Sequence, residues 1–169
     1  MRGYFAIGVE GGNKLGNLGN LMRTAHGFGA SFVFTIGGEH FKKSHSDTSR
    51  VSNDVPLYRF ETLEDLLLPD KCQKVAIELT DEAIDLPSFN HPRCVAYLLG
   101  PERGSLSPET LAACDHVIRI PTSFCLNQAT AGAVVMYDRI CQLGHWPARP
   151  VTTMPTMKRH APFDPAESS

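Results

Sequence analysis

Short apolar runs alternate along the chain with longer stretches in which apolar residues recur at helical spacing. Runs that are apolar on both faces are typical of parallel strands covered by helices on both sides. We therefore predict one α/β domain, built on a parallel sheet with helices on both faces. The predicted strands are Tyr4–Val9, Ser31–Ile36, Leu57–Phe60, Lys74–Leu79, Cys94–Leu99 and His116–Ile120.

The stretches between these runs carry the start and stop signals of helices. Asn17 is a favourable N-cap residue before the first of them, and Gly29 stands where that helix should stop. Ser107 precedes a proline, which is favoured at the first position of a helix. The predicted helices are Leu18–Phe28, Thr62–Leu68, Pro108–Cys114 and Leu126–Leu143.

The length of 169 residues suits one compact domain and leaves little chain for a second. Proline recurs after Trp146 among small and polar residues, so this last segment can bury little surface. We predict a folded domain at residues 1–145 and a loosely ordered, proline-rich tail at residues 146–169.

Composition narrows the class of protein. The formal net charge is −2, so an RNA partner would require positive charge concentrated in one region. The five cysteines form no CxxC pair and lie in apolar segments, which favours small buried thiols in a reducing compartment. The seven histidines lack paired metal-ligand spacing. No segment has the roughly 20 consecutive apolar residues of a membrane-spanning helix. We expect a cytoplasmic protein without a metal.

The first candidate motif is N-L-G-N-L-M-R-T-A at residues 17–25. Glycine beside the free N–H groups of a helix start lets an anion approach the backbone closely. Arg23 lies one to two turns into the predicted helix, from where its long side chain can reach back to that end. The alternative is a capped helix that carries a solvated surface arginine.

The second candidate motif is L-L-G-P-E-R-G-S-L-S at residues 98–107. It places Glu102 just after an apolar strand, at the edge where open α/β sheets bind ligands. The alternative is a tight turn in which Glu102 caps the following segment.

The third motif, I-P-T-S-F-C-L-N-Q-A-T-A-G-A at residues 120–133, leads from a proline turn into the long helix. A glycine in mid-helix costs about 1 kcal/mol relative to alanine. We therefore expect that another backbone or a ligand approaches Gly132 closely. A buried core helix explains the alanines equally well, but it does not explain Asn127 at the helix entrance.

The patterns N-x-G-N-x-x-R, G-P-E-x-G-x-L-S and I-P-…-L-N-x-A-x-A-…-Y follow one another in this order over residues 4–143. Together they resemble the three motifs of the SpoU (TrmH-like) branch of the SPOUT RNA methyltransferases. The resemblance implies a C-terminal trefoil knot, S-adenosylmethionine as the cofactor, and two subunits paired around the knot as a homodimer. The implied cofactor residues are Leu79, Leu98, Leu99, Gly100, Pro101, Glu102, Ile120, Pro121, Cys125, Leu126 and Asn127.

The resemblance also implies catalytic roles. Arg23 matches the arginine proposed to activate the ribose 2′-hydroxyl, but a guanidinium stays charged and is a poor base. We expect Arg23 to act with an RNA phosphate, holding the hydroxyl in line and stabilising the developing alkoxide. Asn17 would anchor its loop or the substrate, and Asn127 would fix the knot loop. Glu102 would orient Arg23 or a neighbouring amide.

Positive charge is densest in H-F-K-K-S-H-S-D-T-S-R at residues 40–50. Lysine and arginine hold the phosphate backbone without reading base sequence, so this segment is a candidate RNA contact. The alternative is a solvated loop. The predicted RNA-binding residues are Asn20, Arg23, Lys42, Lys43, Arg50 and Arg103.

The sequence departs from the family pattern at three points. Cys125 stands where most members have serine, and the stretch 121–125 is shorter than is common, which leaves the cleft rim and the target nucleotide open. The chain also begins at the first strand, as in a member that has only the catalytic domain. A nucleophilic role for Cys125 is the less favoured alternative, because no histidine lies within its motif and its neighbours are apolar.

We therefore expect an S-adenosylmethionine-dependent RNA ribose 2′-O-methyltransferase that acts on tRNA in preference to rRNA. Two alternatives remain. One is a catalytically inactive RNA-binding protein of the same fold. The other is a Rossmann-type nucleotide-binding enzyme, which the glycines after the first strand suggest although their spacing is not GxGxxG. Methyl transfer separates these alternatives from the expected activity.

Overall fold

The computed structural model describes residues 3–11, 15–37, 55–101, 103–144 and 146–147. Within these ranges, the chain forms seven strands and three α-helices. In chain order the elements are β1 Tyr4–Glu10, α1 Leu15–Gly27, β2 Phe32–Ile36, β3 Leu57–Phe60, β4 Gln73–Ile77, β5 Ile84–Asp85, β6 Cys94–Leu99, α2 Pro108–Ala112, β7 His116–Arg119 and α3 Gln128–Leu143. Among the described residues, no α-helix separates the strands from β2 to β6.

The strands form a single sheet in the order β3-β2-β1-β6-β4-β7-β5. Every pairing is parallel, with Ile7 of β1 opposite Val33 of β2 and Tyr97 of β6. The parallel sheet predicted from the apolar runs is confirmed. Because all strands run the same way, the carboxyl ends of β1, β4, β6 and β7 meet at one edge.

The core lies on both faces of this sheet. On one face, α1 and α3 cover alternate residues of the central strands, such as Ile7 and Tyr97. On the other face, Phe34 and Leu98 pack with residues next to and within α2. Side chains of successive strand residues point to opposite faces, which explains why the strands are apolar throughout. The prediction of helices on both faces is confirmed.

The helix α3 packs very closely on α1 and the sheet. A Cβ built at Gly132 would lie 2.6 Å from Cδ1 of Leu21 and 3.3 Å from Cδ1 of both Ile7 and Leu99. Real Cβ atoms do not come as close as the first of these distances, so a side chain at position 132 would force Leu21 to shift within the core. The predicted close approach at this glycine is confirmed, but the neighbours are core side chains and not another backbone or a ligand.

The helix predicted at Thr62–Leu68 is wrong, because the segment forms turns. The backbone N and Oγ1 of Thr62 both donate to Oδ2 of Asp65, at 3.0 and 2.9 Å. Leu63 and Leu66 are both buried, whereas Leu67 is 89% exposed. Pro69 lacks the N–H that a continuing helix requires. A single turn, capped by Asp65, therefore buries two apolar side chains of this segment without a helix.

The predicted N-cap role of Asn17 is also wrong. The helix α1 begins at Leu15, so Asn17 lies inside its first turn, where its side chain is engaged by a residue far along the chain. Several other boundaries differ by one or two residues, and the two-residue strand β5 was not predicted. Ser107 does cap α2, accepting from the N of Thr110 at 3.2 Å.

The five cysteines are free thiols, as predicted, but the expected full burial is wrong. Cys72, Cys94 and Cys114 are partly buried, and Cys125 and Cys141 are exposed. In the described part of the chain, no helix has the length and apolar character needed to cross a membrane. Among the same residues, no group of three or more histidine, cysteine, aspartate or glutamate side chains is arranged to hold a metal ion.

Candidate active site

A cleft of about 300 Å³ lies at the carboxyl ends of β4, β6 and β7, beside the start of α3. Open parallel sheets bind their ligands at this edge. The cleft is lined by seven residues that the sequence predicts as cofactor contacts: Leu79, Leu99, Gly100, Pro101, Ile120, Cys125 and Leu126. The other lining residues are Ile77, Glu78, Gly104, Arg119, Thr122, Gln128 and Ala131.

Three of the predicted cofactor residues within the described ranges do not line this cleft. Leu98 is buried in the core on the opposite face of the sheet from Leu99, so its predicted place in the cleft wall is wrong. The cause is the alternation of side chains along a strand. Pro121 borders an open polar depression next to the cleft, and Asn127 caps α3.

Asn127 joins the third motif to the first. Its Oδ1 accepts from the backbone N of Ala129 at 3.0 Å and of Thr130 at 3.4 Å, which caps α3. Its Nδ2 donates to Oδ1 of Asn17 at 3.1 Å. The Nδ2 of Asn17 is buried without a hydrogen-bond partner, a costly state that a bound ligand or water would relieve. The two asparagines therefore hold α1 against the loop that enters α3.

The remaining predicted residues lie on α1, in the loop after β6, or outside the described ranges. Asn20 and Arg23 are exposed on α1, within two turns of Asn17. Arg103 is exposed next to Gly104, a residue of the cleft wall. Glu102, Lys42, Lys43 and Arg50 lie outside the described residues, so their predicted roles remain predictions.

Glu78 is a cleft residue that our sequence analysis missed. It follows β4 directly, and its Oε1 accepts from the backbone N of Leu79 at 2.9 Å. Its Oε2 accepts from the backbone N of Leu106, also at 2.9 Å. The carboxylate thus connects the end of β4 to the loop after β6. Glu78 lies within the strand predicted at Lys74–Leu79, so the signal that could have found it was a carboxylate near the carboxyl end of an apolar strand.

Two further side chains fix the walls of the cleft. Nε2 of Gln128 donates to the carbonyl of Gly100, so the first residue of α3 holds the end of β6. Arg119 donates from Nε to Oδ1 of Asp85 at 2.6 Å and from NH1 to the carbonyl of Thr80 at 3.2 Å. These contacts bridge elements that are distant in sequence, and the local pattern gave no sign of them.

Glu10 anchors the loop of the second motif from the end of β1. Its Oε2 accepts from the backbone N of Ser107 at 2.8 Å, and its Oε1 accepts from Oγ of the same residue at 2.9 Å. The hydroxyl of Thr110 donates to Oε1 as well. The start of α2 is thereby fixed to the central strand next to the cleft.

A second polar cluster surrounds His91, before the amino end of β6 and thus away from the cleft. Its Nε2 lies 2.9 Å from Oδ2 of Asp138, and its Nδ1 contacts the hydroxyl of Tyr97. Arg139 donates to the carbonyls of Pro92 and Arg93 at 2.7 and 2.8 Å. Burial lowers the pKa of His91, and the nearby carboxylate of Asp138 only partly opposes this effect. This cluster stabilises the fold and does not reach the cleft.

The family model described as the SpoU rRNA Methylase family matches residues 5–137. The chain belongs to this family. The resemblance inferred from the three motifs is confirmed, and the match covers the sheet, the cleft and most of α3. Family membership does not favour the Rossmann-type alternative.

Known relatives place the fold firmly among methyltransferases. The chain is 26% identical over 137 residues to the tRNA (guanosine(18)-2'-O)-methyltransferase of Escherichia coli K12, covering 77% of this chain and 60% of that relative. An rRNA methyltransferase of Sinorhizobium meliloti with bound AdoMet superposes with a TM-score of 0.72 at 25% identity, covering 85% of this chain and 58% of that one. A structure described for 2-OH methylation of C/U34 on tRNA gives a TM-score of 0.73 at 24% identity, covering 85% and 92%.

Proposed function

We propose that the chain transfers a methyl group from S-adenosylmethionine to a ribose 2′-hydroxyl of RNA, with tRNA preferred over rRNA. The observation that carries the proposal is the hydrogen bond between Asn127 and Asn17, which ties the helix of Arg23 to the loop beside the cleft. The tRNA methyltransferase relative supports the reaction and the choice of RNA. The chain spans 60% of the length of that relative, so the proposal concerns the catalytic portion.

The cleft fits this cofactor. Its volume of about 300 Å³ lies at the lower end of the range for small-molecule sites. Leu79, Leu99 and Ile120 offer apolar surface to a flat purine, while Glu78 and the backbone around Gly100 offer polar groups to the sugar. When bound, S-adenosylmethionine supplies a methyl group that its sulfonium already activates, so the protein needs no metal for the transfer.

The side chains of this protein then bind, orient and stabilise charge. Arg23 is exposed on α1 and carries a permanent positive charge. It holds an RNA phosphate and the target hydroxyl in line, and it stabilises the negative charge that develops on the sugar oxygen. Asn17 and Asn127 keep α1 at the cleft. Glu102 orients Arg23 or a nearby amide, and Lys42, Lys43, Arg50, Asn20 and Arg103 hold the RNA.

We expect the protein to work in the cytoplasm as a homodimer with the trefoil knot of its family. Tyr137 of α3 and Trp146, just after that helix, are 54% and 57% exposed and pack edge to face at a centroid distance of 5.9 Å. A second subunit that covers this aromatic pair would bury apolar surface that is otherwise in water. Sedimentation of the purified chain over a concentration series tests the dimer directly.

Transfer of a tritiated methyl group from S-adenosylmethionine to purified tRNA and rRNA tests the activity. Mass mapping of the nucleosides then identifies the methylated ribose. We expect incorporation by the natural chain and loss of at least about 100-fold in Arg23→Ala, as for other groups that stabilise transition-state charge. Arg93→Ala is the matched control, because that arginine is exposed at the amino end of β6, away from the cleft. Full activity of Arg23→Ala would remove Arg23 from the mechanism, and absence of any transfer would refute the proposed function.

A further inference from the structure

The carboxylate of Glu78 is fixed in place by the backbone. The N of Glu78 donates to the carbonyl of Ile118 at 3.0 Å, which anchors its main chain to β7. Its two carboxylate oxygens each accept one backbone N–H, from Leu79 and from Leu106. A side chain held in this way presents its remaining acceptor sites in a fixed direction, so a ligand meets a preorganised group.

Glu78 also keeps hydrogen-bonding capacity. An ionised carboxylate offers about four lone-pair sites, and the two backbone N–H groups use two of them. Gly100 lies beside the carboxylate, and a Cβ built at that position would be 3.1 Å from Oε2 of Glu78. Because glycine has no side chain, position 100 does not screen the carboxylate from the cleft that both residues line.

The surroundings of this carboxylate indicate which ligand group it meets. Leu79, Leu99 and Ile120 make the neighbouring walls apolar, which suits a purine ring. A ribose attached to that purine carries two adjacent hydroxyls, and two adjacent O–H donors match the two oxygens of one carboxylate. An acidic residue near the end of a strand performs this role for nucleotides in other open α/β sheets.

We propose that Glu78 receives the 2′- and 3′-hydroxyls of the cofactor ribose. The inference rests on the proposed function, and it adds a residue outside the three motifs to the binding site. The alternative ligand group is the ammonium of the methionine half, which would also be drawn to a carboxylate. The two differ in their dependence on the sugar hydroxyls.

Calorimetry with S-adenosylhomocysteine and its 2′-deoxy analogue tests the proposal on the natural chain and on Glu78→Gln. The natural chain should bind the deoxy analogue at least about tenfold more weakly, the loss typical of a hydrogen bond to a charged group. Glu78→Gln should bind S-adenosylhomocysteine about tenfold more weakly and should barely distinguish the two ligands. Glu82→Gln, an exposed carboxylate four positions further along, is the matched control and should behave as the natural chain does.

Each result decides. If Glu78→Gln weakens both ligands by the same factor, the carboxylate acts on the ammonium or on the loop, and the proposal is overturned. Equal binding of both ligands by the natural chain also overturns the proposal. This test does not depend on whether the variant folds. If the natural chain binds neither ligand, the proposed function fails as well. If the natural chain transfers methyl groups to RNA but binds the two ligands equally well, only the proposed role of Glu78 is refuted.

Discussion

The side-chain amide of Asn127 donates to the side-chain oxygen of Asn17 at 3.1 Å, which joins two positions 110 residues apart. The same Asn127 caps α3 through its other side-chain atom. One residue therefore has two separable tasks: it stabilises the start of a helix, and it fixes that helix start to α1. Substitutions at position 127 can remove one task or both.

Asn127→Ala should lower the free energy of unfolding by about 1 kcal/mol, because it removes the N-cap of α3. Asn127→Ser retains a good cap, since serine caps helices about as well as asparagine does, and should stay within about 0.5 kcal/mol of the natural chain. Serine is too short to reach Asn17, so both variants should lose methyl transfer. Urea unfolding and the tritium assay measure the two effects, and an active Asn127→Ser would show that the contact to Asn17 is dispensable.

Gly132→Ala should destabilise the protein although alanine favours helices. The new methyl would overlap Cδ1 of Leu21, which is 1% exposed and cannot move into solvent. Overpacking of this kind costs about 1–3 kcal/mol. Because Leu21 is enclosed by the core, we expect the upper part of that range, which exceeds the gain of about 1 kcal/mol from helix propensity. Gly19→Ala is the control, since no atom lies within 4 Å of a Cβ at that site in α1. Thermal unfolding should show opposite shifts for the two variants.

The stability of the protein should fall as the pH drops below 6.5, the ordinary pKa of histidine. Burial lowers the pKa of His91 in the folded state, so in this range the unfolded chain binds more protons and unfolding is favoured. Protonation would also place a proton on Nδ1 of His91, so the Tyr97 hydroxyl could no longer donate to that atom. The free energy of unfolding, measured by urea unfolding between pH 7.5 and 5, should change less with pH for His91→Gln than for the natural chain. His26→Gln, at an exposed position of α1, is the control, and its free energy of unfolding should vary with pH as that of the natural chain does.

Alkylation of Cys125 should block the cleft. Its thiol is exposed and lines the proposed cofactor site, so a bulky adduct there competes for space with the ligand. Iodoacetamide should inactivate the natural chain, and S-adenosylmethionine should protect it. Cys125→Ser should stay active and resist the reagent, because the proposed transfer uses no thiol nucleophile. Cys141→Ser, which removes the other exposed thiol, should remain sensitive. Loss of methyl transfer in Cys125→Ser would instead support a nucleophilic role for the thiol.

The sequence predicted those parts of the molecule that local patterns determine. The strands Leu57–Phe60 and Cys94–Leu99 agree with the structure to the residue. Burial and β propensity act together in Cys94–Leu99, whereas Leu57–Phe60 has no buried residue and depends on β propensity and pairing at the sheet edge. A helix was wrongly predicted at Thr62–Leu68, because a favourable cap and apolar spacing also fit one isolated turn. Asn17 misled because a contact from α3 overrides its local preference as a cap.

The candidate site was predictable to the extent that its residues stand in motifs. Leu79, Gly100 and Ile120 follow strands and meet at one edge, as parallel topology requires. The sequence showed Glu78 only as a carboxylate near the end of a predicted strand and gave no sign of Gln128, since their partners are backbone groups brought near by folding. The alternation of side chains decides that Leu99 faces the cleft while Leu98 does not, and the register that sets this alternation is a property of the assembled sheet.

The order of the strands has a consequence for how this protein is made. The central strand β1 pairs with β6, so that Tyr4 lies opposite Cys94. During synthesis β1 leaves the ribosome long before β6 has been synthesised. Until then the edge of β1 that pairs with β6 has no partner strand. Pairings between such distant segments close slowly, and open strand edges invite association with other chains. Cellular chaperones that shield the nascent amino-terminal half should therefore raise the yield of active protein.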